Sequence, residues 1–178
     1  MKIRTFLQRI DHLNKDLAVL GAIRVREASA VPNIDQAEVY TQYLDLVDDQ
    51  DLIDFTESLF VDGHYARAVE EAFKCLNNTV KRKAGSSADG ADLMRSAFSP
   101  KKPTLKLNRF RSETDKSEQQ GYMDLFAGSM TGIRNPRAHE HELQDHPEIA
   151  LELVVFANHL MRKAKSATRT RQRRAKTK

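Results

Sequence analysis

The sequence predicts an all-α protein, and three observations carry that prediction. Apolar residues recur at spacings of three and four along most of the chain. Glycine, proline and serine sit where those periodic stretches stop or start, as helix caps require. Only Leu105-Lys106-Leu107 alternates like a strand, and no second strand run offers it a partner. With 178 residues, 40% hydrophobic and 30% charged, the chain can bury one core and carry a small appendage. No window approaches the roughly 18 consecutive apolar residues of a membrane span. The charges of MKIRTFLQRIDHLNKD also break up any signal-peptide core, so a cytoplasmic protein without membrane contact is expected. Its one cysteine, Cys75, rules out an internal disulfide and a thiolate zinc cage.

Ile3, Phe6, Ile10, Leu13, Leu17 and Leu20 form an a/d seam, so residues 1–30 are expected to hold an amphipathic helix. Two to three heptads are too few for an independent coiled coil, and the seam needs the body or a partner chain to cover it. Val31-Pro32-Asn33 marks the connection, because proline disfavours helix at the residue before it. A helical domain over 36–163 follows. Periodicity runs from Gln36 to about Val47 and from Gln50 to Phe60, closed by Asp62-Gly63 with the glycine as a left-handed cap. Tyr65, Val69, Ala72, Phe73, Leu76 and Val80 are the apolar face of a long helix. Glu70 and Lys74 pair on its solvent side, and Lys81, Arg82 and Lys83 suit its carboxyl end before Gly85.

From Gly85 to Lys116 the chain turns polar and reads as a surface insertion, with a short helix at Leu93-Met94 and Ala97-Phe98. Ser117 and Gln120 fit a capping box for a helix reaching about Ile133, its apolar face made by Met123, Phe126, Met130 and Ile133. A second face carries Gly121, Leu125, Gly128 and Gly132. Each glycine costs about 1 kcal/mol of helix propensity, so a closely crossing helix, from this chain or a second copy, is expected against that face. Pro147 suits the first position of a last helix running through Leu160.

Charge is unevenly spread. Of 29 basic residues, nine fall in the last 17 positions with no acid among them, leaving 20 basic against 25 acidic residues before them. Residues 164–178 are therefore expected to be a disordered basic tail suited to a polyanion, with Arg169, Arg171, Arg173 and Arg174 as candidate RNA contacts. A frayed, solvated terminus is the plainer alternative.

Between the last two helices lies Gly132-Ile133-Arg134-Asn135-Pro136-Arg137-Ala138-His139-Glu140-His141. Pro136 should end the preceding helix and Asn135 cap a new turn, which places His139 four residues on and on the same side. Arginine offers a cationic fork for phosphate oxygens, and an imidazole with an ordinary pKa near 6.5 moves protons at neutral pH. Metal-free RNA cleavage needs a base for the 2′-hydroxyl, an acid for the leaving 5′-oxygen and a cation for the charge that develops on phosphorus. One Arg134 and one His139 supply half of that set, and two copies about a twofold axis would supply all of it. Arg137 is a further candidate phosphate contact. His139, His141 and His146 lack a shared helical register, so no metal or other cofactor is called for.

Arg134-Asn135 followed by His139 resembles the R-polar-x-x-x-H motif of the HEPN superfamily of all-α RNase domains. A wider pattern is more specific. It comprises Leu59-Phe60-x-Asp62-Gly63-His64-Tyr65-x-x-Ala68-Val69-x-x-Ala72, Asp89-Gly90-x-x-Leu93-Met94-x-x-Ala97-Phe98, Glu118-Gln119-x-Gly121-x-x-x-Leu125-Phe126-x-Gly128 and the Arg134 to His139 segment. These residues look like the Ymh-like family of phage, plasmid and bacterial proteins, over roughly Gln50 to Lys163. The resemblance implies a HEPN-like helical-bundle homodimer with a composite cleft, acting as a metal-independent endoribonuclease in toxin, abortive-infection or phage-defence settings. It implies Arg134 on the phosphate, His139 as general base or acid, and Asn135 orienting the turn or the substrate. An antitoxin or other defence-system partner belongs to the same implication.

Two other function classes are compatible with these residues. A non-catalytic RNA- or protein-binding module would use the basic tail and the glycine-faced helix. A dimeric scaffold would use the Ile3 to Leu20 seam. Arg134 satisfying carbonyls at a helix end, with His139 as an exposed turn residue, is the structural reading of the motif.

Overall fold

The computed structural model describes residues 34–140 and 143–170. The seam from Ile3 to Leu20, the Val31-Pro32-Asn33 connection, and Arg171, Arg173 and Arg174 lie outside the described residues. Helices α1 (Ile34–Leu46), α2 (Gln50–Val61) and α3 (Tyr65–Ala84) come first, then α4 (Gly90–Phe98) and strand β1 (Leu105–Lys106). Helix α5 (Glu113–Ser129) runs into a π-helical turn (Met130–Arg134) and then α6 (Asn135–His139). Helix α7 (Pro147–Ser166) and strand β2 (Thr168–Arg169) complete an all-α bundle, as predicted.

Helix α3 is the centre of the bundle, packing against α2, α4, the π turn, α6 and α7. Its predicted apolar face is the core: Val69, Ala72, Phe73, Leu76 and Val80 are fully buried, against Val154, Ala157 and Leu160 of α7. Arg82 and Lys83 precede Gly85, which takes the left-handed conformation at φ 63° and ends the helix as predicted. Stacked rings join neighbouring elements, Tyr43 on Phe60 with centroids 4.8 Å apart and Phe98 on Phe126 at 4.4 Å. Asn158, fully buried on α7, holds the turn between α1 and α2: it accepts from the Asp49 backbone at 3.1 Å and donates to the Leu46 carbonyl at 3.2 Å.

Several local expectations change. The segment from Gly85 to Lys116 is not a surface insertion, because Leu93, Met94, Ala97, Phe98 and Leu105 are buried in the core. Polar loops on either side dilute its composition and hide that role. The cap of helix α5, Ser112, lies five residues before the predicted cap at Ser117. The capping box is made by Ser112, whose hydroxyl accepts from the Asp115 amide at 3.0 Å while the Asp115 carboxylate accepts from the Ser112 amide at 3.3 Å. Asp115 does there what the usual Glu or Gln does.

Glu70 does not sit on a solvated side. It is 4% exposed, held by Lys74 at 2.6 Å and Arg67 at 2.9 Å. Strand β1 does have a partner, the start of the predicted tail: Leu105 faces Arg169 and Lys106 faces Thr168, antiparallel. Beyond that pair, the Thr170 amide donates to the Thr104 carbonyl at 2.8 Å. Residues 164–170 thus belong to the folded body, and the rest of the predicted tail, 171–178, lies outside the described residues. Finally, no other part of the described chain approaches the glycine face of α5. A Cβ at Gly121, Gly128 or Gly132 would meet nothing within 4 Å, and Leu125 between them is 46% exposed.

Candidate functional site

Pro136 does not end the helix. A proline cannot donate to the carbonyl four residues back, here that of Gly132, and its ring crowds that carbonyl. The chain widens instead, from Met130 to Arg134, into a π turn in which the Asn135 amide donates to the Met130 carbonyl five residues back. Asn135 stays helical at φ −62° and ψ −44°, and α6 carries the helix on to His139. The motif therefore lies along a helix with one bulged turn, not at a break with a fresh cap. Such bulges recur at functional sites because they re-aim side chains without ending the helix.

Arg134, the last residue of the bulge, turns inward. Its side chain is 22% exposed and its Nη1 lies 3.7 Å from Oδ2 of Asp89. Its Nε is buried and has no hydrogen-bond partner among the described residues. Asp89 is itself held by Nδ2 of Asn77 at 2.7 Å and by Nζ of Lys81 at 3.4 Å. The Asn77 hydrogen bond, with the Lys81 and Arg134 charges behind it, keeps the Asp89 carboxyl below the ordinary range even though burial opposes this. Asn77 is buried on α3, and its Oδ1 accepts from the Gly90 amide at 2.9 Å, serving α4 as a cap that Asp89's own side chain does not provide.

Arg134 and Asp89 share a cavity of about 230 Å³ with Phe55 of α2 and with Glu71, Lys74 and Asn78 of α3. Cys75 and Asn77 complete its wall. Burial pushes the Cys75 thiol up to about 11, so that side chain is neutral at physiological pH. Neither Asn135 nor His139 lines the cavity. His139 is exposed at the end of α6 and Asn135 is half-buried, and neither side chain has a hydrogen-bond partner among the described residues. Within one chain the predicted trio is thus split, with Arg134 facing inward and His139 facing solvent.

Arg137 is committed to the fold. Its Nε and Nη2 donate to the two carboxylate oxygens of Asp145 at 2.7 Å each, and its Nη1 donates to the Ile133 carbonyl at 2.9 Å. The ion-paired side chains are 9% and 8% exposed, so this guanidinium is not presented to a phosphate as the sequence reading expected. Its role is to tie the segment after α6 back onto the π turn. Arg169 is exposed on β2, with its guanidinium over Gly85. No group of three His, Cys, Asp or Glu side chains gathers as metal ligands would among the described residues. Sequence reasoning missed Phe55, Asn77, Asn78 and Asp89 as site residues. Of these only Asp89 carried a local sign, as a cap residue before Gly90.

The structure is thus an all-α bundle with an inward arginine on a bulged helix, an aspartate paired with it and an exposed histidine five residues on. The chain belongs to a family that carries the description "Protein of unknown function (Hypoth_ymh)", whose model matches residues 47–164. That match runs from just before α2 to within two residues of the end of α7 and leaves out the final strand. Comparison with curated proteins and with solved structures returns no match.

Proposed function

We propose that this protein is a metal-independent endoribonuclease of HEPN type that acts as a homodimer, in a toxin, abortive-infection or phage-defence role. The observation that carries the reading is Arg134, whose buried Nε has no partner and whose Nη1 is only loosely paired with Asp89. A guanidinium held this loosely keeps donors for the oxygens of a phosphate. Exposed His139, free of hydrogen-bond partners among the described residues, supplies a proton-transfer group that a substrate can reach. Asn135, four residues before it on α6, is placed to orient substrate or imidazole.

The split of Arg134 and His139 favours a composite site over a single-chain one. The open face at Gly121, Leu125, Gly128 and Gly132 lies on the helix that leads into the motif, where a second copy would pack closely. In the reaction, His139 of one protomer takes the 2′-hydroxyl proton as the 2′-oxygen attacks phosphorus. Its counterpart protonates the departing 5′-oxygen, and Arg134 holds the charge on the phosphoryl oxygens. The products are a 2′,3′-cyclic phosphate and a free 5′-hydroxyl. A neutralising antitoxin or another defence-system protein is the partner this role calls for.

The test incubates wild-type, Arg134→Ala and His139→Ala proteins with labelled RNA in EDTA, after circular dichroism has shown equal helicity. Cleavage with cyclic phosphate ends by wild type alone is the expected result. Cleavage that survives His139→Ala overturns the assignment. Intact RNA in every lane with binding retained moves the protein to the second reading, a non-catalytic RNA-binding or dimeric scaffold module. The burial of Arg137, which withdraws one of the predicted phosphate contacts, is the observation in favour of that second reading.

A further inference from the structure

Phe55 sits in the middle of α2, three residues after fully buried Leu52, yet it is 58% exposed. Its ring borders the cavity that Arg134 lines. Across that cavity Asn78 of α3 is exposed, with its amide free of partners among the described residues. The adjacent Asn77 is fully engaged by Asp89 and Gly90. Lys74 is likewise held by Glu70 and Glu71. The cavity therefore offers three features: an aromatic face, an amide that can both donate and accept, and the Arg134 guanidinium, which Asp89 holds only at 3.7 Å.

Its volume, about 230 Å³, falls short of the roughly 300–1,000 Å³ typical of drug-sized ligands. It matches a single planar group with one charged substituent. An aromatic face, an edge-reading amide and a phosphate-reading guanidinium form the recognition set for one unstacked nucleotide of single-stranded RNA. We infer that this cavity is a nucleotide pocket in which a base stacks on Phe55, Asn78 reads its edge, and the adjoining phosphate is held by Arg134. The inference rests on the proposal that the same site handles RNA and deepens it, because it makes an unpaired base, not a duplex, the recognised unit. It also gives the inward turn of Arg134 a purpose: the arginine holds the phosphate beside a base drawn into the cavity, while His139 works outside.

The test uses the full chain carrying His139→Ala, so that RNA stays intact, and fluorescein-labelled homopolymer RNAs of adenosine, cytidine and uridine in EDTA. Anisotropy reads affinity, and circular dichroism checks that each variant folds. Phe55→Ala is expected to weaken binding of every homopolymer by roughly fivefold to a hundredfold, the worth of one base stack. Phe55→Trp should retain binding and Phe55→Leu should not, since stacking needs a π face. Asn78→Ala is expected to level the differences among the three homopolymers. Unchanged affinities in Phe55→Ala and Asn78→Ala, with binding still lost in Arg134→Ala, overturn the pocket and leave the RNA reading standing. No binding of any homopolymer by the chain without pocket substitutions overturns both. Equal loss in Phe55→Ala and recovery in Phe55→Leu shows a merely apolar contact and overturns the stacking role.

Discussion

The Arg137–Asp145 pair shows how far a single residue's role depends on partners that sequence does not place beside it. Arginine in an Arg-Asn-Pro-Arg run next to a histidine reads as a phosphate contact, because its charge is visible and its partner is not. Asp145 lies eight residues on, beyond α6, and only the folded chain brings its carboxylate to 2.7 Å in two-point contact. With both side chains about nine-tenths buried, removal of either partner strands a charge in the interior. Arg137→Ala and Asp145→Ala are each expected to cost about 3–5 kcal/mol in urea unfolding. The double variant should lose less than the sum of the two, which a double-mutant cycle measures. Gln119 makes the same point in neutral form. It is fully buried, donating to the Phe98 and Leu105 carbonyls at 2.9 Å each and accepting from the Leu107 amide at 3.0 Å. A buried glutamine at this place follows from long-range loops, and no periodicity announces it.

At the level of elements, helices were legible where apolar spacing was clean and misjudged where a cap or a partner decided the matter. The limits of α2, α3 and α7 followed from Gly63, Gly85 and Pro147, residues whose backbone preferences are local. The start of α5 was not so readable, because Ser112 and Asp115 form a capping box with an aspartate at its third position. Ser112→Ala is expected to cost about 1 kcal/mol, read as a lowered urea midpoint at unchanged slope. The strand pair was illegible in principle, since Leu105 and Arg169 meet only after α5 and α7 have packed. That pairing makes the beginning of the basic segment structural. A chain ending at Thr170 is expected to keep wild-type stability. One ending at Ser166 loses β2, the Thr170 bonds to Thr104 and Pro103 and buried Ala167, and should drop by about 2 kcal/mol. Equal stability of the two truncated chains would remove β2 from the account of the fold.

Across the whole molecule, the titrating groups bound a plateau of stability on both sides. Asp48, Asp51, Asp89, Asp115 and Glu118 all hold their carboxyls below the ordinary range, through Asn158, Lys165, Asn77, the Arg111 amide and Asn108 respectively as the foremost cause. A group whose folded pKa is lowered adds stability that is present above its unfolded value, about 4 for a carboxylate. That stability is lost as pH falls through the folded value. On the alkaline side, burial raises the Cys75 thiol to about 11, and burial followed by the Glu57 hydrogen bond raises the Tyr40 hydroxyl to about 12. The folded state prefers these acids neutral, so their contribution is whole below their unfolded values, near 9 and 10, and fades as pH climbs toward the folded ones. Urea midpoints at fixed ionic strength are therefore expected to be level from about pH 5 to pH 8 and to fall beyond each end. Asp89→Asn assigns part of the acid limb to the Arg134 site, because it removes the carboxylate that Asn77, Lys81 and Arg134 share. The variant should be less stable at pH 7 and fall less steeply below about pH 4. An acid limb of unchanged slope in Asp89→Asn would place the protons elsewhere, among Asp48, Asp51, Asp115 and Glu118, and would detach the Arg134 site from the acid response of the fold.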